Sequence, residues 1–233
     1  MFKCRIANLV IEIHNRHEYS YLRCKNYVCD SALPSDVVIT LTDDDVMREK
    51  TEEITNPQIL EFSAIYRKLC HSLPYYDAFL IHGAAIAHGG VGYIFCANSG
   101  TGKTTHIEYW RKLFSDGVTV INGDKPIIRK KDGVLTVFGT PWCGKEGYNE
   151  NTSAPVKNLC FIHRSKDNRT EKISTDEALL QIMPQLLLPD DEGELSRLFD
   201  LVDELINESG RYNVFCNMSV DAAKVAHSEM TKG

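Results

Sequence analysis

The stretch Ala97-Asn98-Ser99-Gly100-Thr101-Gly102-Lys103-Thr104 is where residue types and spacing first promise chemistry. Gly100 and Gly102 let the backbone turn so that successive N–H groups face inward on an anion. Lys103 adds an ammonium for the β- and γ-phosphates of a nucleotide, and Thr104 offers a hydroxyl to magnesium. The pattern is that of a P-loop (Walker A) with alanine in place of the first glycine. Asn98, Ser99, Gly100, Thr101, Gly102, Lys103, Thr104 and Thr105 are the expected nucleotide-binding residues, with ATP and Mg2+ as the expected ligands. A lone hydroxyl does not anchor magnesium, so a carboxylate must face it. Asp124, 21 residues beyond Lys103 in Val120-Ile121-Asn122-Gly123-Asp124-Lys125, is that candidate. Its rival, Asp116, reads as a turn residue in Ser115-Asp116-Gly117.

Such a loop works only when a strand delivers it and a helix leaves it, because the helix dipole then points its positive end at the phosphates. Both are expected here. DAFLIHGAAIA (77–87) and GYIFCA (92–97) read as strands joined by the turn HGGV, an antiparallel hairpin that feeds the loop. Ile107, Trp110 and Phe114 then recur at helical spacing.

Further short strands are expected at 118–121, 126–129, 134–139, 157–164 and 212–218, with a turn-forming loop over 140–156. Upstream, residues 1–50 read as short strands, with 36–42 the clearest. Asp43-Asp44-Asp45 reads as a solvated turn. Asn56 and Pro57 suit the cap and first position of a helix whose buried face carries Ile59, Phe62, Tyr66, Leu69 and Leu73, ending at Pro74. Residues 176–208 turn helical, with a stripe of Leu195, Leu198, Phe199, Val202, Leu205 and Ile206, and a last helix follows 218. The expected fold is mixed α and β, with a small strand and helix segment (1–75) packed on a nucleotide-binding core (76–233).

Composition limits the partners. The chain of 233 residues carries 26 basic and 32 acidic side chains, a net charge of −6. That disfavours nucleic acid, whose backbone wants a basic face. The eight cysteines are dispersed with no CxxC pair, which argues against a zinc site and for reduced, buried thiols in a cytoplasmic protein. The amino terminus carries Arg5, Asn8 and Glu12 and reads as a strand; no stretch is long and apolar enough for a membrane span.

The hairpin leading into the P-loop, Ile81-His82-Gly83 on its first strand, the run Asn98–Thr104 and Ile121-Asn122-Gly123-Asp124 together resemble the HPr kinase/phosphorylase family and its distant relatives, the ATP-dependent phosphoenolpyruvate carboxykinases. The resemblance covers roughly residues 78–165. It extends to the small HPr-kinase-like proteins, some of which phosphorylate free serine or a serine of a precursor peptide. It implies phosphoryl transfer to a hydroxyl, phosphate and metal roles for Lys103 and Thr104, and an active-site role for His82. It also exposes a departure. The family carries two adjacent aspartates where this chain has Gly123 and Asp124, and the first of them, the base, is missing. Asp124 doing both jobs, His82 accepting the proton, or Glu146 swinging in are the three remedies.

The segment Gly139–Asn151 is the expected substrate-facing loop, rich in glycine and holding Lys145, which could neutralise charge on a phosphoryl group in transfer. The expected catalytic set is therefore His82, Lys103, Asp124, Lys145 and Glu146. Cys143, His88 and His106 are expected to be structural or incidental. The expected partners are a nucleotide and a hydroxyl of a peptide, protein or free amino acid, with homo-oligomerisation left open. A non-catalytic nucleotide-binding regulator is the alternative, and carboxykinase chemistry lacks the cluster of basic residues it would need.

Overall fold

The computed structural model describes residues 1–232. The amino-terminal part opens with β1 (Phe2–Ile6) and β2 (Leu9–His14), an antiparallel hairpin whose tight turn places Ala7 and Asn8 at φ 51° and 60°. Then come α1 (Glu18–Arg23), β3 (Val37–Thr40), which pairs with β2 in parallel, α2 (Asp43–Met47) and α3 (Pro57–Ser72). The side chains of this small sheet alternate in and out, and Ile11, Ile13 and Ile39 bury with Phe62, Ile65 and Leu69 of α3. The same cluster takes in Leu80, Ile127, Phe138 and Trp142 from farther along the chain.

The main sheet contains β4 (Ala78–Leu80), β5 (Gly83–His88), β6 (Val91–Cys96), β7 (Val118–Asn122), β8 (Ile127–Lys131), β9 (Val134–Phe138), β10 (Ser153–Arg164), β11 (Arg169–Lys172) and β12 (Gly210–Cys216). It is a curled mixed sheet in the order β4-β8-β9-β10-β6-β5-β7, with β12 on β10 and β11 on β12. The helices between and after these strands are α4 (Lys103–Phe114), α5 (Thr175–Ile182), α6 (Glu192–Glu208) and α7 (Val220–Met230). They form two outer layers, α5 and α6 against one face through Ile182, Leu198, Val202 and Leu205, and α4 and α7 against the other through Ile107, Trp110, Ala223 and Ala226. Each large apolar side chain so buried contributes about 1.5–3 kcal/mol.

Strand direction gathers the site. β10 runs parallel to both β6 and β12, and β7, antiparallel to β5, runs the same way as β6. The carboxyl ends of β6, β7, β10 and β12 therefore share one edge, the side on which open α/β sheets bind ligands.

Several expectations need correction. Asp43–Asp45 is not a turn but the first turn of α2, where Thr42 and Asp45 form a reciprocal capping box and the carboxylates meet the positive end of the helix. Residues 77–87 are two strands, since β4 pairs with β8 while β5 pairs with β6 and β7, and Ile81 and His82 lie in the break. The loop expected over 140–156 ends sooner, because β10 begins at Ser153 and pairs its first residues with β9. Ile59 (40% exposed) and Phe199 (39%) do not face the core; Leu60 and Leu201 bury in their places. β11 carried no apolar signal and was not expected. Asn56 does cap α3, accepting from the Gln58 N–H at 3.0 Å. All eight cysteines are free thiols. Among the described residues no helix is long and apolar enough to cross a membrane.

Candidate functional site

The loop after β6 turns through Gly100 (φ 75°) and Gly102 (φ 120°), and a Cβ added at either would meet open space. Glycine is required here by backbone conformation and not by crowding. Gly102 precedes the first residue of α4, so Lys103 and Thr104 occupy the first turn of a helix whose free N–H groups face the loop. Arg164, at the end of β10, clasps the loop from outside: its guanidinium donates to the carbonyls of Gly100 and Thr101.

Lys103 is 8% exposed. Its ammonium donates to the Ala97 carbonyl at 2.7 Å and lies 3.2 Å from His82 Nε2. Burial lowers its pKa, and the Asp124 carboxylate works against that shift. His82 Nε2 is also 3.1 Å from Asp124 Oδ1. One ring nitrogen cannot both donate to Asp124 and accept from Lys103, so the position of its proton selects which neighbour it bonds. Burial opposes the charge on Asp124, but the hydrogen bond from His82 and the cations of Lys125 and Lys103 outweigh it and keep the carboxyl below its ordinary pKa.

The backbone places these groups. In the break between β4 and β5 the His82 N–H donates to the Gln185 carbonyl at 2.8 Å and the Gly83 N–H to the Asp124 carbonyl at 2.9 Å. Asn122 is fully buried, and its amide ties three segments together. Its Oδ1 accepts from the N–H groups of Asp124 (2.8 Å) and Lys125 (2.7 Å), turning the chain so that Asp124 faces the loop. Its Nδ2 donates to the carbonyls of Thr140 (3.0 Å) and Trp142 (3.1 Å).

The segment from Gly139 to Thr152 is held from the amino-terminal side. The Trp142 ring stacks on Phe62 at 5.3 Å and its indole N–H donates to the Phe62 carbonyl at 3.2 Å. Arg23 reaches Cys143 Sγ at 3.6 Å, and Asn151 donates to the Asn26 carbonyl at 3.1 Å. Tyr148 caps the inner side of the segment: its hydroxyl donates to Glu108 at 3.1 Å and accepts from Arg111 at 3.3 Å. A Cβ on Gly123 would stand 3.2 Å from Tyr148 Cβ, so Tyr148 closes the space a side chain there would enter.

The structure thus brings His82, Lys103 and Asp124 into contact, with Thr104 one residue away on α4. Lys145 and Glu146 are exposed. Glu146 Oε2 and Asp124 Cβ flank Gly144, at 3.0 and 3.9 Å from where a Cβ on that glycine would be. Asn122, Arg164 and Gln185 were not singled out from the sequence. Asn122 sits inside the quoted motif, and its type before Gly-Asp was a usable signal; Arg164 and Gln185 act through partners remote in the chain and carried none.

His106 and His88 turn out to be packing groups. His106 is 2% exposed, accepts from the Trp110 indole at 3.1 Å, and is pushed down to about pKa 4 by burial. His88 packs against Phe114 and His227 and bonds the Gly117 carbonyl.

Two open clefts flank the loop. One, of about 640 Å³, lies between Asn98–Thr101 and His163, Leu180, Gln181 and Gln185. The other, of about 600 Å³, lies between α4 and the segments that follow β10 and β12. Both touch Gly100, Thr101 and Arg164.

No family model matches the chain, and no curated protein matches it. Among solved structures it is similar to the Hpr(Ser) kinase/phosphatase from Coxiella burnetii, at 15% identity over 55% of this chain and 88% of that one, with a TM-score of 0.29. That is a distant likeness in shape, and the chemistry rests on the side chains themselves.

Proposed function

We propose that this chain binds magnesium and ATP on Asn98–Thr105 and transfers the γ-phosphoryl group to a hydroxyl, the serine of a peptide or protein or free serine. The observation that carries the reading is the contact of Lys103, His82 and Asp124 at the open mouth of a glycine turn on a helix terminus. A phosphate tail would lie on the loop N–H groups and draw the Lys103 ammonium off the Ala97 carbonyl onto its β- and γ-oxygens.

Magnesium suits the donors present. The Thr104 hydroxyl makes no hydrogen bond to another group among the described residues, and Asp124 is held ionised. Two hard oxygen donors are enough for an ion that keeps several waters and takes its other ligands from phosphate. Held by Thr104 and Asp124, it would neutralise charge building on the phosphate oxygens.

The acceptor oxygen bonds to the γ-phosphorus as the bond to the β,γ-bridging oxygen breaks, ADP leaves, and the hydroxyl proton passes to the Asp124–His82 pair. Were Asp124 to hold a metal, His82 Nε2 would be the better-placed proton acceptor, because Lys103 would no longer donate to it with its ammonium on phosphate. Lys145 and Glu146 would join by movement of their loop.

The test is transfer from γ-labelled ATP with magnesium to serine and serine peptides, lost in Lys103→Ala and in Asp124→Asn. Absence of transfer to every acceptor, with ATP still bound, would favour a second reading, a nucleotide-binding regulatory module. Gly123 favours that reading, since Tyr148 fills the place a base would enter.

A further inference from the structure

We infer that the cleft between α4 and the segments after β10 and β12 receives the base and ribose of the nucleoside triphosphate, with the base against Tyr109 and Met218. This rests on the phosphate-loop reading above.

The terminal phosphate must face Asp124 and His82, so the other end of the tail leaves across Gly100–Gly102 on the opposite flank. That flank opens into the cleft lined by Thr105, Tyr109, Arg164, Lys166 and Met218. The cleft near Gln181 and Gln185 adjoins His82 through the Gln185 carbonyl and lies on the acceptor side.

The lining has the right chemistry. A nucleobase needs flat or soft apolar surface for its faces and polar groups at its edges. Tyr109 and Met218 supply the former, and the ends of β10 and β12 supply the latter. Met218 is 83% exposed and lines the same cleft as Tyr109, so its side chain is free to pack on a flat ligand face. Lys166 makes no ion pair among the described residues. A cleft of about 600 Å³ lies within the range that holds ligands of this size.

A second observation points the same way. His106 lines this cleft, and its Nε2 accepts from Trp110, so in the neutral ring the proton sits on Nδ1. That buried Nδ1 has no partner among the described residues. A buried donor without a partner is destabilising, and a ligand oxygen or ring nitrogen would satisfy it.

Calorimetry on the full chain, with magnesium and either ATP or inorganic triphosphate, tests the assignment. The wild type should bind ATP at least tenfold more tightly than triphosphate. Met218→Asp and Tyr109→Ser should each weaken ATP by fivefold or more and leave triphosphate unchanged. Leu180→Asp, in the other cleft, should alter neither. Equal affinity of the wild type for ATP and triphosphate, or no effect of Met218→Asp on ATP, would overturn the base site and leave the phosphate loop standing. Binding of neither compound would overturn both.

Discussion

The glycine turn ahead of α4 and the Gly139–Thr152 segment both lie beside Asp124, yet they are held by opposite means. The first is shaped by its own backbone: two glycines at positive φ, a helix beginning at Lys103, and carbonyls clasped by one arginine. The second has little regular structure and is pinned by side chains whose partners are far away in the chain, Trp142 on Phe62, Asn122 on Thr140 and Asn151 on Asn26. A site held by local backbone keeps its form when its surroundings change. A segment held by remote anchors moves when they move, so its position is coupled to the amino-terminal part of the chain.

That contrast can be broken in measurable ways. Trp142→Ala removes a buried, stacked and hydrogen-bonded anchor, and should lower stability by about 3–5 kcal/mol in urea unfolding while Mg-ATP affinity changes less than threefold. A large loss of ATP affinity would show that the two loops are not independent. His106, on α4 beyond the glycine turn, has its folded pKa depressed to about 4. Its contribution to stability is fully present above the unfolded value near 6.5 and declines as pH falls toward 4, by up to about 3 kcal/mol. His106→Gln should flatten the stability profile between those pH values, and an unchanged slope would refute the assignment.

Lys103→Ala should weaken Mg-ATP at least 100-fold, about 2.7 kcal/mol, by calorimetry, and leave the Trp142 anchor intact by near-UV dichroism. The smallest effect is expected at Gly123. Alanine there must displace Tyr148 by a few tenths of an ångström, costing about 1 kcal/mol, and a stabilising result would mean the inner side of the segment is looser than the contacts imply.

The same contrast explains what the sequence disclosed. The glycine turn before α4 was legible because its conformation is written in consecutive residues, and the approach of Asp124 to His82 and Lys103 because one helix and one strand set its distance from Lys103. The hairpin, the helices after the loop and at the carboxyl-terminal end, and most strands followed from periodicity. What stayed hidden depends on the assembled fold. The break at His82 exists because β4 and β5 serve different neighbours, a fact of pairing that local pattern does not encode. Arg164 ends an otherwise ordinary strand, and only the parallel pairing of β10 with β6 brings it over Gly100. Ile59 and Phe199 fit apolar stripes by spacing, but the buried positions are Leu60 beside the one and Leu198 and Leu201 on either side of the other.

β10 has a consequence of its own. Its first residues, Ser153–Pro155, belong to the β9 side of the sheet, and the remainder is flanked by β6 and β12. One strand thus splices two halves, and neither half can open fully while the other keeps its register. The amides of Leu159, Cys160 and Phe161, buried at that splice, should be the last in the chain to trade their protons for deuterium, at the free energy of global unfolding.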